Sequence, residues 1–195
     1  MSAEWLTAIG SIGTLVVIAA TVITAVIQLR HMRGGNQIAA LTEMRETIES
    51  DRFVNARERI REISSNIGDL QFRQRLMRDV LEPEHAAVIG YVGNVFETLG
   101  CFVKYGIIEK TIACDLWGGV AVQTWQRMLP IVAMRRRLFG PAIWENFEYF
   151  VVLGTNFWHR NQDGAFPKAV GRLEIPDDFL EADRAANIVP ERWRP

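Results

Sequence analysis

From Trp5 to Leu29 the chain runs 25 residues without a charge, "WLTAIGSIGTLVVIAATVITAVIQL". Wound as a helix at 1.5 Å per residue, that stretch reaches roughly 37 Å, enough to cross a ~30 Å hydrocarbon core with some tilt. A cleaved signal peptide needs a basic leader and a shorter apolar centre, and the leader here, "MSAE", carries an acid and no base. A core helix uncharged all round is out of scale with so small a domain. The pattern therefore predicts a membrane-spanning signal anchor.

The span has two faces. At about 100° per residue, Thr7, Gly10, Gly13, Thr14, Thr21, Thr24 and Ala25 gather on one side. Ile9, Ile12, Leu15, Val16, Val22, Ile23, Val26 and Ile27 gather on the other. Small and hydroxylated residues let helices approach closely in lipid, and branched aliphatics suit acyl chains. The expected role is a helix–helix interface through Gly10, Gly13, Thr14, Thr21 and Ala25. The bland reading is a chance grouping in a span where such residues are common. Arg30, His31 and Arg33 follow the span and only Glu4 precedes it. Basic flanks stay cytoplasmic, so Arg30 and Arg33 set the N-terminus outside, with Trp5 as an interfacial anchor.

Beyond the span the apolar residues recur at helical spacing. Gly34-Gly35 is a candidate break, with Asn36 capping a helix to about Glu49. Ser50 is placed to cap the next, whose Phe53, Ala56, Ile60, Ile63 and Ile67 alternate steps of three and four. "SNIGD" ends it, and "LQFRQRLMRDVL" forms a short basic helix. Pro83 opens a central helix that Gly106 closes. Val88, Val92, Val95, Leu99 and Phe102 form its stripe, widened by Ile89, Phe96 and Val103, and Gly93 and Gly100 permit close approach of a neighbour. Asn94, Glu97 and Lys104 argue against a second span. Asp115 is expected to cap a helix carrying Trp117, Val120, Ala121, Trp125 and Met128, with Pro130 kinking or restarting it. Pro141 is expected to start the last clear helix. From residue 159 Pro and Gly interrupt every pattern. The expected architecture is all-α: an anchor with its basic flank over 1–33, a cytoplasmic bundle of about five to seven helices over 34–158, and an irregular tail over 159–195.

Charge and chemistry change this picture little. The net charge is −1, so no global field favours a polyanion, and no nucleic-acid partner is expected. Arginines make up 19 of the 22 basic residues, a bias that GC-rich coding also produces. Arg135, Arg136 and Arg137 complement a helix C-terminus or form an anion patch. Cys101 and Cys114 make no CxxC pair and are expected as free buried thiols on the reducing side of a membrane. His31, His85 and His159 lack metal-ligand spacing, and Gly118-Gly119 lacks the lysine of a phosphate loop. No catalytic residue, metal or cofactor is expected.

The polar residues that stand out are Glu97, Lys104, Glu109 and Asp115. Among apolar neighbours, Glu97 needs a partner, such as an arginine of "RQRLMR" or "RRR", if it is buried. The structural reading is an internal ion pair that sets helix register. The functional one is a ligand or catalytic acid.

Three segments in order, "WLTAIGSIGTLVVIAATVITAVIQLRHMR", "NQIAALTEM" and "FETLGCFVKYGIIEKTIACDLWGGVAVQTWQRMLP", resemble an uncharacterised bacterial family of membrane-anchored helical proteins classed as domain of unknown function 4760. The likeness extends to about Trp158. Its most specific element is an acid, Leu-Gly, a basic residue, a Gly-Ile-Ile turn and a second acid. The resemblance implies one N-terminal span and an all-helical cytoplasmic domain, and it brings no activity. Three functions follow in order: a membrane-tethered scaffold in the bacterial inner membrane that meets itself or a protein partner, a membrane-anchored ligand sensor or enzyme, and a pore of assembled spans.

Overall fold

The computed structural model describes residues 3–77, 83–162 and 164–186, without the side chains of residues 4–9, 33 and 84. The described residues are helical, with no strand among them. Seven α-helices follow in order: α1 (Ala3–Ile48), α2 (Asp51–Ser65), α3 (Leu70–Met77), α4 (Pro83–Lys104), α5 (Lys110–Phe139), α6 (Glu145–Arg160) and α7 (Leu180–Ala185). The chain divides into two compact units, Met1–Gln162 and Asp163–Pro195.

In the first unit α4, α5 and α6 pack together and α2 lies against α4 and α5. Each of these four helices sends one aromatic ring to a shared centre. Phe96 of α4 stacks on Phe147 of α6 at 4.6 Å between ring centroids. Phe53 of α2 meets Phe96 edge-on at 5.5 Å, and Trp125 of α5 meets Phe147 edge-on at 4.9 Å. Pairs of this geometry add about 1 kcal/mol each beyond the area they bury. The periodic residues lie where their spacing put them: Phe53, Ala56, Ile60 and Ile63, then Ile89, Val92, Val95, Phe96, Leu99 and Val103, are buried.

The helix ends follow local chemistry. Ser50 Oγ accepts from the Phe53 amide at 3.2 Å, the expected cap. Gly106, at φ 69°, closes α4 as its pattern requires: its amide donates to Val103 O, and that of Ile107 to Phe102 O. This pair of bonds is the Schellman arrangement.

Three boundaries differ from expectation, and at a fourth place, Pro130, the helix is not restarted. Gly34-Gly35 does not break α1 into two elements. Each glycine costs only about 1 kcal/mol against alanine, and strong helix formers flank the pair. Asn36 is therefore interior to a helix and caps nothing. Asp115 likewise lies inside α5, because Glu109 caps that helix by accepting from Ile112 N at 2.9 Å. Pro130 is carried within α5; beside its weakened turn, Ser64 Oγ donates to Arg127 O at 2.6 Å. Finally, Pro141–Trp144 is a turn, and α6 begins only at Glu145.

Among the described residues, two helices are long and apolar enough to cross a membrane. One lies over Gly10–Ile48, with its apolar stretch wholly exposed. The other, His85–Lys104, is substantially buried in the bundle. α1 touches the core over its C-terminal part, where Met44 and Ile48 are buried and Ala40 and Leu41 pack half-buried against the cluster. In the second unit, α7 follows a run with no regular structure, in which the Arg172 guanidinium lies 5.0 Å from the Phe166 ring centre. The tail expected to be irregular thus holds one short helix.

Candidate functional site

α4 presents Gly93, Asn94, Glu97, Gly100 and Lys104 to the turn before α6. With no Cβ on Gly93, the Trp144 indole lies directly on the helix; with none on Gly100, the Asn146 carbonyl does the same. Trp144 adopts the left-handed conformation, φ 53° and ψ 43°, which a bulky side chain takes at a cost of about 1–2 kcal/mol. Its buried ring is held there: Nε1 donates to Asn94 Oδ1 at 3.2 Å, and the Arg135 guanidinium lies 5.8 Å from the ring centre.

The left-handed residue turns the first amides of α6 toward α4. Glu97 receives them: Oε2 accepts from Phe147 N at 2.9 Å and Oε1 from Asn146 Nδ2 at 2.7 Å. A carboxylate from a neighbouring helix thus caps α6 and meets the positive end of its dipole, where Trp144 itself offers no capping oxygen. Lys104 Nζ donates to Asn146 Oδ1 at 3.1 Å and lies 3.8 Å from Glu145. Glu97 therefore takes its partners from backbone and amide, not from an arginine. Arg136 is used nearby, donating to Ile143 O at 3.0 Å and pairing with Glu148 at 2.7 Å. Glu97 and Lys104 come together on this turn, while Asp115 is exposed on α5 and shares none of these bonds. With both Glu97 oxygens engaged, what the cluster does chemically is lock α6 onto α4.

Gly10, Gly13, Thr14, Thr21 and Ala25 are all exposed on α1. The threonine hydroxyls turn inward along the helix: Thr14 donates to Gly10 O at 2.9 Å, Thr21 to Val17 O at 2.8 Å and Thr24 to Ala20 O at 2.9 Å. Their polarity is thereby satisfied without a partner, and the face they leave is a shallow trough. Val17, Ala20, Thr21, Thr24, Ala25 and Gln28 line it. Arg30 is exposed; the Trp5 and Arg33 side chains lie outside the described part of the structure.

Residues 15–152 match the family described as Domain of unknown function (DUF4760). The chain belongs to that family. No curated protein and no solved structure matches it. The DUF4760 match begins inside the apolar stretch of α1 and ends within α6. It takes in Thr21, Ala25, Arg30, Arg33, Glu97, Lys104 and Asp115, and leaves Gly10, Gly13 and Thr14 before it.

Elsewhere in the DUF4760 region, no group of three or more His, Cys, Asp or Glu among the described residues stands together to hold a metal ion. Cys114 is buried, and desolvation, with the Glu109 charge second, pushes its thiol up to about 11. That thiol is unreactive at neutral pH. Sequence reasoning noted Asn94 only as a cost in lipid, and it passed over Trp144, Asn146 and the seam between α2 and α5. There Arg57 Nε donates to Thr124 Oγ1 at 2.9 Å. The signal for the first group was present in the Gly93–Gly100 spacing, which brackets Asn94 and Glu97.

Proposed function

We propose that this protein is a membrane-tethered scaffold: α1 anchors it in a bacterial inner membrane with the N-terminus outside, and copies associate through the small-residue face of the span. The observation that carries the reading is the continuity of α1. One helix runs from a wholly exposed apolar stretch to the domain core at Met44 and Ile48. A domain joined to its anchor without a hinge suits a protein whose work is to hold something at a fixed place beside the membrane. The basic flank favours the cytoplasmic side for the domain. Self-association is supported by the trough of Thr21, Thr24 and Ala25, where no hydroxyl blocks a close approach.

The test has two steps on the full chain. Membranes washed at high pH should retain the protein until detergent is added. Single cysteines at Thr21 or Ile23, on a Cys101→Ser/Cys114→Ser background, should then differ under oxidation. T21C is expected to give disulfide-linked dimers and I23C, on the opposite face, few. Release by the alkaline wash would end the anchor reading. Equal cross-linking at both positions would end the self-association reading alone.

A further inference from the structure

Several arginines of the bundle have a settled acceptor, although Arg136 also keeps a buried Nη2 that makes no hydrogen bond. Arg45 meets Glu49 at 3.0 Å, Arg136 meets Glu148 at 2.7 Å, and Arg73 donates to the carbonyls of Ile67 and Gly68 at 2.6 and 2.8 Å. The crossing of α2 over α5 is different. Arg57 is held from behind through Nε on Thr124 Oγ1 at 2.9 Å, and that buried hydroxyl donates in turn to Val120 O at 2.7 Å. The two terminal nitrogens of Arg57 have no hydrogen-bond acceptor among the described residues. On the facing helix, Arg127 Nη1 is buried and makes no hydrogen bond. Its nearest carboxylate oxygen, Glu58 Oε1, stands 3.6 Å away, too far for one.

A separate bond also ties the two helices, Ser64 Oγ donating to Arg127 O at 2.6 Å. Arg61 follows Arg57 by one turn on the same face of α2 and is exposed. Desolvation first, and the Arg127 charge second, hold the Arg57 guanidinium below its ordinary range, while Glu58 offsets this only in part. Two cations close enough to feel each other's charge thus share one loosely placed anion, Glu58.

We propose that the α2–α5 crossing is a binding site for a phosphate-type oxyanion, bridged between the terminal nitrogens of Arg57 and the Nη1 of Arg127. Guanidinium forks match the oxygens of such a group and bind it more strongly than a neutral donor does. Glu58 is then a competitor that the ligand displaces. A free phosphate-bearing metabolite and a phospholipid headgroup carry the same chemistry.

The probe is inorganic pyrophosphate, titrated against the full chain in phosphatidylcholine nanodiscs, with sodium chloride at matched ionic strength as the control. The readouts are melting temperature and calorimetric affinity. Pyrophosphate should raise the melting temperature where chloride does not. R57Q and R127Q should each weaken binding about tenfold, E58Q should tighten it, and R45Q should leave it unchanged. Should R127Q fail to fold, R57K keeps the charge and loses the fork, and must still bind more weakly. Nanodiscs of phosphatidylglycerol separate the sources. An Arg57-dependent rise without added pyrophosphate identifies a headgroup, and a rise only with soluble pyrophosphate identifies a free ligand. No rise from either source, or equal rises in wild type and R57Q, overturns the proposal.

Discussion

α1 and α4 are the two helices with enough length and apolar surface to cross a membrane, and they use that surface in opposite ways. Every described side chain of α1 from Gly10 to Met32 is exposed, whereas Ile89, Val92, Phe96 and Leu99 of α4 are fully buried. What separates the two helices is where the polar atoms go. α1 has no charge across its apolar stretch, and its threonines bond to their own backbone, so it asks nothing of a protein neighbour. α4 carries Asn94, Glu97 and Lys104, and each finds its partner between Trp144 and Asn146, or on the Phe147 amide. Glycines show the same division. A methyl group on Gly10 or Gly13 would meet nothing within 4 Å, while one on Gly93 or Gly100 would collide with the turn before α6. An apolar helix with polar residues spaced to receive another segment is a core helix; one whose polarity is closed on itself is ready for lipid.

Glycine substitution is the most direct way to break this contrast. Gly100→Ala drives a methyl into the Asn146 carbonyl, which backbone cannot yield cheaply. It should cost the domain about 3 kcal/mol, read from urea unfolding of the solubilised full chain. Gly13→Ala should leave that midpoint where it was, and equal losses would mean that α1 is packed in protein after all. The next effect in size comes from Glu97. Glu97→Ala leaves the Phe147 amide and Asn146 without their acceptor, for a loss of about 2 kcal/mol, whereas Asp115→Asn should do nothing measurable. A Glu97 variant that folded at full stability would return that carboxylate to the candidates for chemistry. The smallest effect concerns Glu109. The amides of Thr111 and then Ile112 hold its carboxyl below the usual range. Its contribution is therefore complete above the unfolded carboxylate pKa and is lost as pH falls through the lowered folded value. Glu109→Ala should cost about 0.5 kcal/mol near neutral pH, with the difference from wild type vanishing in acid.

Where structure depends on neighbours in sequence, the chain could be read directly. The stripe through Phe53, Ile60 and Ile63, the Ser50 cap and the left-handed Gly106 each need information from only a few residues. The misread positions are those where a local tendency met a stronger context. Gly34-Gly35 stays helical because its flanks are helical, and Pro130 because the turns on either side are packed. Trp144 is the reverse case: nothing local asks a tryptophan to turn left-handed, and Asn94, 50 residues away, the bare surface of Gly93 and the Arg135 guanidinium hold it there. The candidate site divides in the same way. Glu97 stood out as a carboxylate among apolar residues, but its partner Asn146 lies 49 positions on. Thr124 likewise lies 67 positions from Arg57, so the α2–α5 crossing had no signature in sequence.

The unbroken course of α1 also sets a phase. Successive residues of a helix are offset by about 100°, so a face of the span at Thr21 and a face of the domain at Met44 are locked at one angle about a common axis. Whatever meets the trough thereby selects which side of the bundle turns toward it. One residue added between Gly34 and Glu43 would swing the domain by about 100° relative to the span, and seven would bring it back to within about 20°.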